Sequence, residues 1–427
     1  MTLDLKLTKL SARFTLALVA LVCCSLLVIV IVSRFVVGTL ADERLLVTSD
    51  TLRVPVEYFP GSARLNARLA AAELAASDGD LASAELYAER AVNLSPNDYR
   101  FRLVLASAQE ANGDRAAAEQ SLRIARALAP NYWDVHYRLG NLLVRQGKLR
   151  ESLDELQLAV AANNELLPGT LDLIWRVSGE DVSAARAVTG SGASTRLTLA
   201  RFLLKMSNSN EAAEVFGSID RSDRLVSAKE SSAFLSSLIA AGKLEAARKL
   251  WSEMAGRDDQ STIISNGSFE SDIFRDFSQF DWSFGRTEYA RLAIDAATAR
   301  TGSRSLRIEF TGRDTTRLDD EIKQLVPVRP GARYILECFV KTNGFEGPEG
   351  PKVVVTGSVS SNWIAASEPV AQGSHDWQRL TVDFVAPQSA TGEMSAVLVS
   401  IKRKPRFSYD EPTRGTVWFD DFAMKEQ

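Results

Sequence analysis

Histidine is almost missing from this 427-residue chain: it has two, His136 and His375, far apart and in unlike segments. That scarcity excludes a histidine-built metal centre and a Ser-His-Asp triad. Cysteine is nearly as rare. Cys23 and Cys24 sit in an apolar run and Cys338 in the strand-like "YILECFVKT", so no disulfide framework exists and Cys338 reads as a small buried hydrophobe. Neither sign of charge dominates, with 50 basic against 54 acidic residues and a net charge of -4. A basic nucleic-acid surface is therefore not expected. No P-loop, dinucleotide glycine motif or nucleophile elbow occurs. Carboxylate clusters do occur, as "LDDE" at 318–321, "YDE" at 409–411 and "DD" at 420–421. Glycoside hydrolysis needs two acids facing one bond, and strand alternation sends Asp420 and Asp421 to opposite faces. The chain reads as a non-enzyme.

What is present begins with "FTLALVALVCCSLLVIVIVS", Phe14 to Ser33, twenty residues without a charge between Arg13 and Arg34. As a helix this run spans roughly 30 Å, the hydrocarbon thickness of a bilayer. Lys6, Lys9 and Arg13 precede it against one acid, Asp4, which places the amino terminus in the cytoplasm and the bulk of the chain outside. The run is longer than a secretory h-region, and Arg34 precedes any cleavage site near Ala41/Asp42. The expectation is a cytoplasmic stub at 1–13 and an uncleaved single-span anchor at 14–36. A linker at 37–60 follows, with strand-like and Pro-containing pieces from Val54 to Gly61. The corresponding localisation is a bacterial inner membrane with the bulk of the chain periplasmic; a secreted, cleaved form is the alternative.

An Ala- and Leu-rich region comes next. "SDGDLASAELYAERAVNLSPND", "ANGDRAAAEQSLRIARALAPNY" and "RQGKLRESLDELQLAVAANNEL" align with one another. Gly79, Gly113 and Gly147 recur every 34 residues, as do Ala84, Ala118 and Ser152, and Ala91, Ala125 and Ala159. A turn glycine, small residues on a second helix and a closing proline (Pro96, Pro130) at this period resemble the tetratricopeptide repeat family. Asn164 replaces the third proline, and the first two units lack the family's helix-A tryptophan. Looser hairpins continue around Gly179, Asn208 and Gly242. The expectation is an α-solenoid over 61–256, clear at 62–165 and degenerate at 166–256. Its concave face implies a protein partner. Tyr132, Trp133, His136 and Tyr137 read as core packing.

At Arg257 the composition changes. After a linker at 257–262, short alternating runs such as "SLRIEF", "RYILECFVKT", "RLTVDFVAP" and "TVWFDDFAM" replace helical periodicity. They predict an antiparallel two-sheet sandwich over 263–427. The order "NGSFE", "FDWSF", "ARTGSRSLRIEF", "DWQRLTVDFVAP", "GTVWFDDFAM" resembles the jelly-roll carbohydrate-binding modules attached to xylanases and glucanases, a galactose-binding-like fold. The resemblance implies a structural calcium tying the opening strand to the closing one. Glu270 and Asp420 would be its acidic ligands and Asp421 a second candidate, with carbonyls near 301–303 completing the shell. It also implies a possible polysaccharide ligand. Sugars stack on aromatic faces, which makes Trp363 the leading candidate contact, with Tyr289 and Trp282 beside it; Trp377 and Trp418 read as core or sheet packing.

Taken together, the sequence describes a multidomain chain: a transmembrane helix, an all-α tetratricopeptide-type solenoid and an all-β jelly roll. The pairing suits a membrane-anchored adaptor in the assembly or export of a cell-envelope polysaccharide. A purely structural assembly factor whose β domain binds no sugar is the rival.

Overall fold

A computed structural model describes residues 10–40, 48–257, 262–358, 362–389, 393–407 and 409–427. The charges at Lys6, Lys9 and Asp4, the cleavage position at 41/42 and most of the 257–262 linker lie outside the described residues. The chain divides into two compact units at Gly190 and Ser191.

The first unit begins with helix α1 (Leu10–Leu40), in which Phe14–Val36 is long and apolar enough to cross a membrane. The segment expected to be strand-like is instead helix α2 (Ser49–Tyr58). Leu52 and Val56 are one helical turn apart and pack on Leu65 and Leu69, and this burial outweighs Pro55 within the helix. Three helical hairpins follow: α3 (Ala63–Ala75) with α4 (Leu81–Leu94), α5 (Tyr99–Ala111) with α6 (Arg115–Leu128), and α7 (Trp133–Arg145) with α8 (Leu149–Ala162). α9 (Leu167–Val177) and α10 (Val182–Thr189) close the unit.

The period is a packing rule. Ala84, Ala118 and Ser152, and Ala91, Ala125 and Ala159, are all fully buried, so the second helix of each pair lies close to its neighbours. The turn glycines Gly113 and Gly147 have φ of 89° and 74°, a region costly for side-chain-bearing residues. Asp80, Asp98 and Asp114 cap α4, α5 and α6 by accepting from the first free backbone N–H groups. Of the four residues read as core packing, His136 is buried, bonded at Nδ1 to Glu155 and at Nε2 to the Pro130 carbonyl, both at 2.7 Å, Trp133 and Tyr137 are half-buried, and Tyr132 is instead 41% exposed.

The second unit holds helices α11 (Ala193–Lys205), α12 (Ser209–Gly217), α13 (Arg221–Val226), α14 (Ala228–Ala240) and α15 (Leu244–Ala255), followed by the β-sandwich. The last helices share a core with the segment that opens the sandwich. The fully buried Trp251 donates its indole N–H to the Phe277 carbonyl at 2.6 Å, with its ring 5.9 Å from that of Phe280. Arg248 lies over both rings, and Gln279 donates to the Ser232 hydroxyl. Arg257 pairs with buried Asp281, and Lys243 with Glu393.

The strands are β1 (Ser283–Phe284), β2 (Ala290–Asp295), β3 (Ser305–Thr311), β4 (Ile322–Val328), β5 (Arg333–Glu346), β6 (Lys352–Gly357), β7 (Trp363–Ala366), β8 (Gly373–Val385), β9 (Ser395–Lys402) and β10 (Arg414–Glu426). They form two five-stranded antiparallel sheets, ordered β1-β4-β9-β6-β7 and β2-β3-β10-β5-β8. Alternation fills the space between them: Val326, Leu336, Cys338, Val340, Val399, Val417 and Phe419 all point inward. Burial pushes the Cys338 thiol far up, as expected for a packing residue.

Candidate functional surfaces

The paired acids of β10 do not part to opposite faces. A β-bulge falls between Asp420 and Ala423, and Asp421 takes φ of 51°. The extra residue breaks the alternation, so both carboxylates meet the segment 300–301. Asp420 accepts from the Arg300 and Thr301 backbone N–H groups at 2.8 and 3.4 Å. Asp421 accepts from the Arg300 guanidinium at 2.7 Å and from the hydroxyls of Thr301 and Ser268 at 2.5 and 2.9 Å. Glu270, from the opening motif, instead accepts from the Ser303 and Arg304 N–H groups, each at 2.8 Å, and from the Ser303 hydroxyl. Gly302, with φ of 64°, lies against this carboxylate, and a side chain there would be strained by the backbone and would push the Glu270 carboxylate aside.

The loop 300–304 therefore grips the opening and closing segments at once, with separate donors for each. Burial pushes Asp420 up to about 6 despite its N–H donors. Burial opposes ionisation of Asp421 as well, yet the Thr301, Arg300 and Ser268 bonds hold it below the usual carboxylate range. The Ser303 and Arg304 bonds do the same for Glu270.

Calcium requires six to eight oxygens around one point. Among the described residues, no three His, Cys, Asp or Glu side chains converge to hold an ion. The oxygens of Glu270, Asp420 and Asp421 face N–H and O–H donors, and Arg300 supplies a positive charge. This donor set does not fit calcium.

The three candidate aromatics are on unlike elements. Trp282 is fully buried against Phe269 and Phe422, and its N–H donates to the Asn266 carbonyl at 3.1 Å. It is core and offers a sugar no face. Tyr289 is half-buried just before β2, where its carbonyl accepts from Thr311. Trp363 is 40% exposed on edge strand β7, with Lys404 Nζ 5.1 Å from its ring centroid. They do not form one platform.

A row of side chains does form on the outer face of the second sheet. Trp418 of β10 pairs with Arg307 of β3 on one side and Lys341 of β5 on the other. On the far side of β5, Val340 pairs with Gln378 of β8, and the register then shifts before Thr342 meets His375, so Trp377 lies in an irregular stretch of β8 alongside Lys341. Both tryptophans are half-buried, and the Trp418 indole N–H donates to Asp295 at 2.7 Å. Lys341 reaches Asp376 at 2.8 Å. β10 and β8 flank β5, so the strands that carry Trp418 and Trp377 run about 10 Å apart. The sequence assigns both to core or sheet packing; Trp418 is not core, because its neighbours Val417 and Phe419 take the inward positions of β10.

The solenoid carries the other surface. The first helices of three successive hairpins border a groove of about 500 Å³, lined among others by Arg64, Arg68, Leu74, Tyr99, Tyr132 and Arg138.

No protein-family model matches the chain, and no curated protein matches it. Solved structures similar to parts of it include helical-repeat proteins, carbohydrate-binding modules and a Stig cyclase, the last 15% identical over 39% of this chain and 96% of its own, with a TM-score of 0.27. The MamA protein is 16% identical, covering 37% of this chain and 83% of its own, with a TM-score of 0.31. TTC0263, a thermophilic TPR protein of Thermus thermophilus, is 24% identical over 31% of this chain and 70% of its own, with a TM-score of 0.26. A family 16 carbohydrate binding module is 16% identical over 38% of this chain and 99% of its own, also with a TM-score of 0.26.

Proposed function

We propose that the chain is a non-enzymatic, membrane-anchored adaptor, with a solenoid that docks a protein partner and a sandwich that contacts glycan. The bulk of the chain lies in the periplasm, and the role is in assembly or export of an envelope polysaccharide. The observation that carries the glycan contact is the cross-strand row Arg307, Trp418 and Lys341, with Trp377 on the neighbouring strand β8. An aromatic face flanked by cationic donors matches the apolar CH faces and hydroxyls of a sugar chain. Trp363 is a subsidiary contact at most, because it stands on the edge strand of the other sheet. The apolar helix at Phe14–Val36 supports the anchor.

The test is retardation of the detergent-solubilised chain in gels cast with envelope polysaccharides. At least one should slow the wild type, with Trp377→Ala abolishing the effect and Trp363→Ala leaving most of it. No retardation by any of them would favour the structural rival.

A further inference from the structure

We infer that the groove on the first helices of the solenoid takes an acidic, extended segment of a protein partner. This rests on the protein-docking reading above and names the chemistry of the partner. Helix α3 places Arg64, Arg68, Ala71 and Ala75 on one face at helical spacing. Beside it α5 contributes Arg100, Leu103, Val104 and Ser107, and α7 contributes Arg138. The lining holds four arginines and one carboxylate, Asp134, both of whose oxygens accept from Arg138 at 3.0 Å. Asp98, outside the lining, holds Arg100 at 2.6 Å. The lining itself therefore carries four guanidinium groups to one carboxylate. A guanidinium pairs with carboxylates in a bidentate fork, and a cluster of them in a groove favours acidic segments and speeds their encounter.

The apolar lining separates a peptide from an anionic glycan. It is mostly aliphatic, with Ala67, Ala71, Leu74, Leu103 and Val104 beside Phe101. The rings of Tyr99 and Tyr132, 5.1 Å apart, are tilted at 56° rather than laid flat. Such a surface suits apolar side chains alternating with acids along a peptide, whereas a sugar wants a level aromatic face.

The experiment is fluorescence anisotropy of the full chain in micelles with three labelled peptides of about nine residues, equal in apolar content and bearing Glu, Gln or Lys at alternate positions. The Glu peptide should bind at least about tenfold more tightly than the others, and raising the salt from about 50 to about 500 mM should weaken it at least about tenfold. Arg64→Glu, at the rim of the groove, should cost about tenfold at an unchanged melting temperature, while Arg150→Glu on α8 should change nothing. Equal binding of all three peptides, weakened by Tyr132→Ala, would overturn the acidic partner and leave the docking reading standing. No binding of any peptide would remove both. A uronate polymer that displaces the Glu peptide at equal charge concentration would assign the groove to glycan instead.

Discussion

The two compact units are held together in different ways. The solenoid of the first unit is built from neighbours: each hairpin buries small residues against the next, and its ion pairs step from one repeat to the following one. Glu119 with Lys148, Arg123 with Glu151 and Arg126 with Glu155 are of this kind. The second unit joins segments far apart in sequence. Trp251 of α15 is fixed by Phe277 and Phe280, while the loop 300–304 links Glu270 in the opening segment to Asp420 in the closing strand. Damage in the first should stay local, and damage in the second should spread.

Trp251→Ala tests this contrast most severely. It removes a fully buried indole and its hydrogen bond at the junction of helices and sandwich, at a cost of about 3–5 kcal/mol. Denaturant melts followed separately by helical and strand signals should lose both together; loss of the helical signal alone would separate the two parts. Ala125→Leu overpacks a fully buried solenoid position and should cost about 1–3 kcal/mol. Hydrogen exchange should accelerate in α5–α8 and not in the sandwich. Asp420→Ala strips acceptors from the Arg300 and Thr301 N–H groups and should cost about 1–3 kcal/mol. A calcium chelator should leave the melting temperature of wild type and variant unchanged; a lowered wild-type value would return the site to a metal.

The smallest effect is a pH dependence of the solenoid. The Lys148 and Arg123 bonds hold Glu119 below its ordinary 4.5 against the effect of burial. A depressed carboxylate stabilises the fold above its unfolded value, and that contribution disappears as pH falls through the folded value. Wild type should therefore lose slightly more stability below pH 4.5 than Glu119→Gln, read as the difference between their melting curves.

The same contrast sets what could be read in advance. Gly113, Gly147 and the buried alanines announce themselves because the solenoid repeats a local packing rule at a fixed interval. The inward residues of the sandwich are legible for a similar reason, since alternation within a strand is local. The turn of Asp421 toward Arg300 is not, because a bulge depends on how β10 pairs with β5. Alternation also gives only the parity of Trp418; which parity faces out is decided by partners on other strands, and a register shift beside Trp377 removes even the parity there. Helix α2 escaped notice because Pro55 masked a single pair of buried residues, Leu52 and Val56. The union of α15 with the sandwich rests on contacts between segments that share no pattern.

The central claim is that the sandwich meets glycan on the outer face of its second sheet. Hydroxyl-radical footprinting of the full chain, with and without a polysaccharide that retards it, addresses this directly. The account predicts that Trp377 and Trp418 are protected while Trp133 in the solenoid is oxidised as before. Protection at Trp363 with none at Trp377 or Trp418 would contradict it.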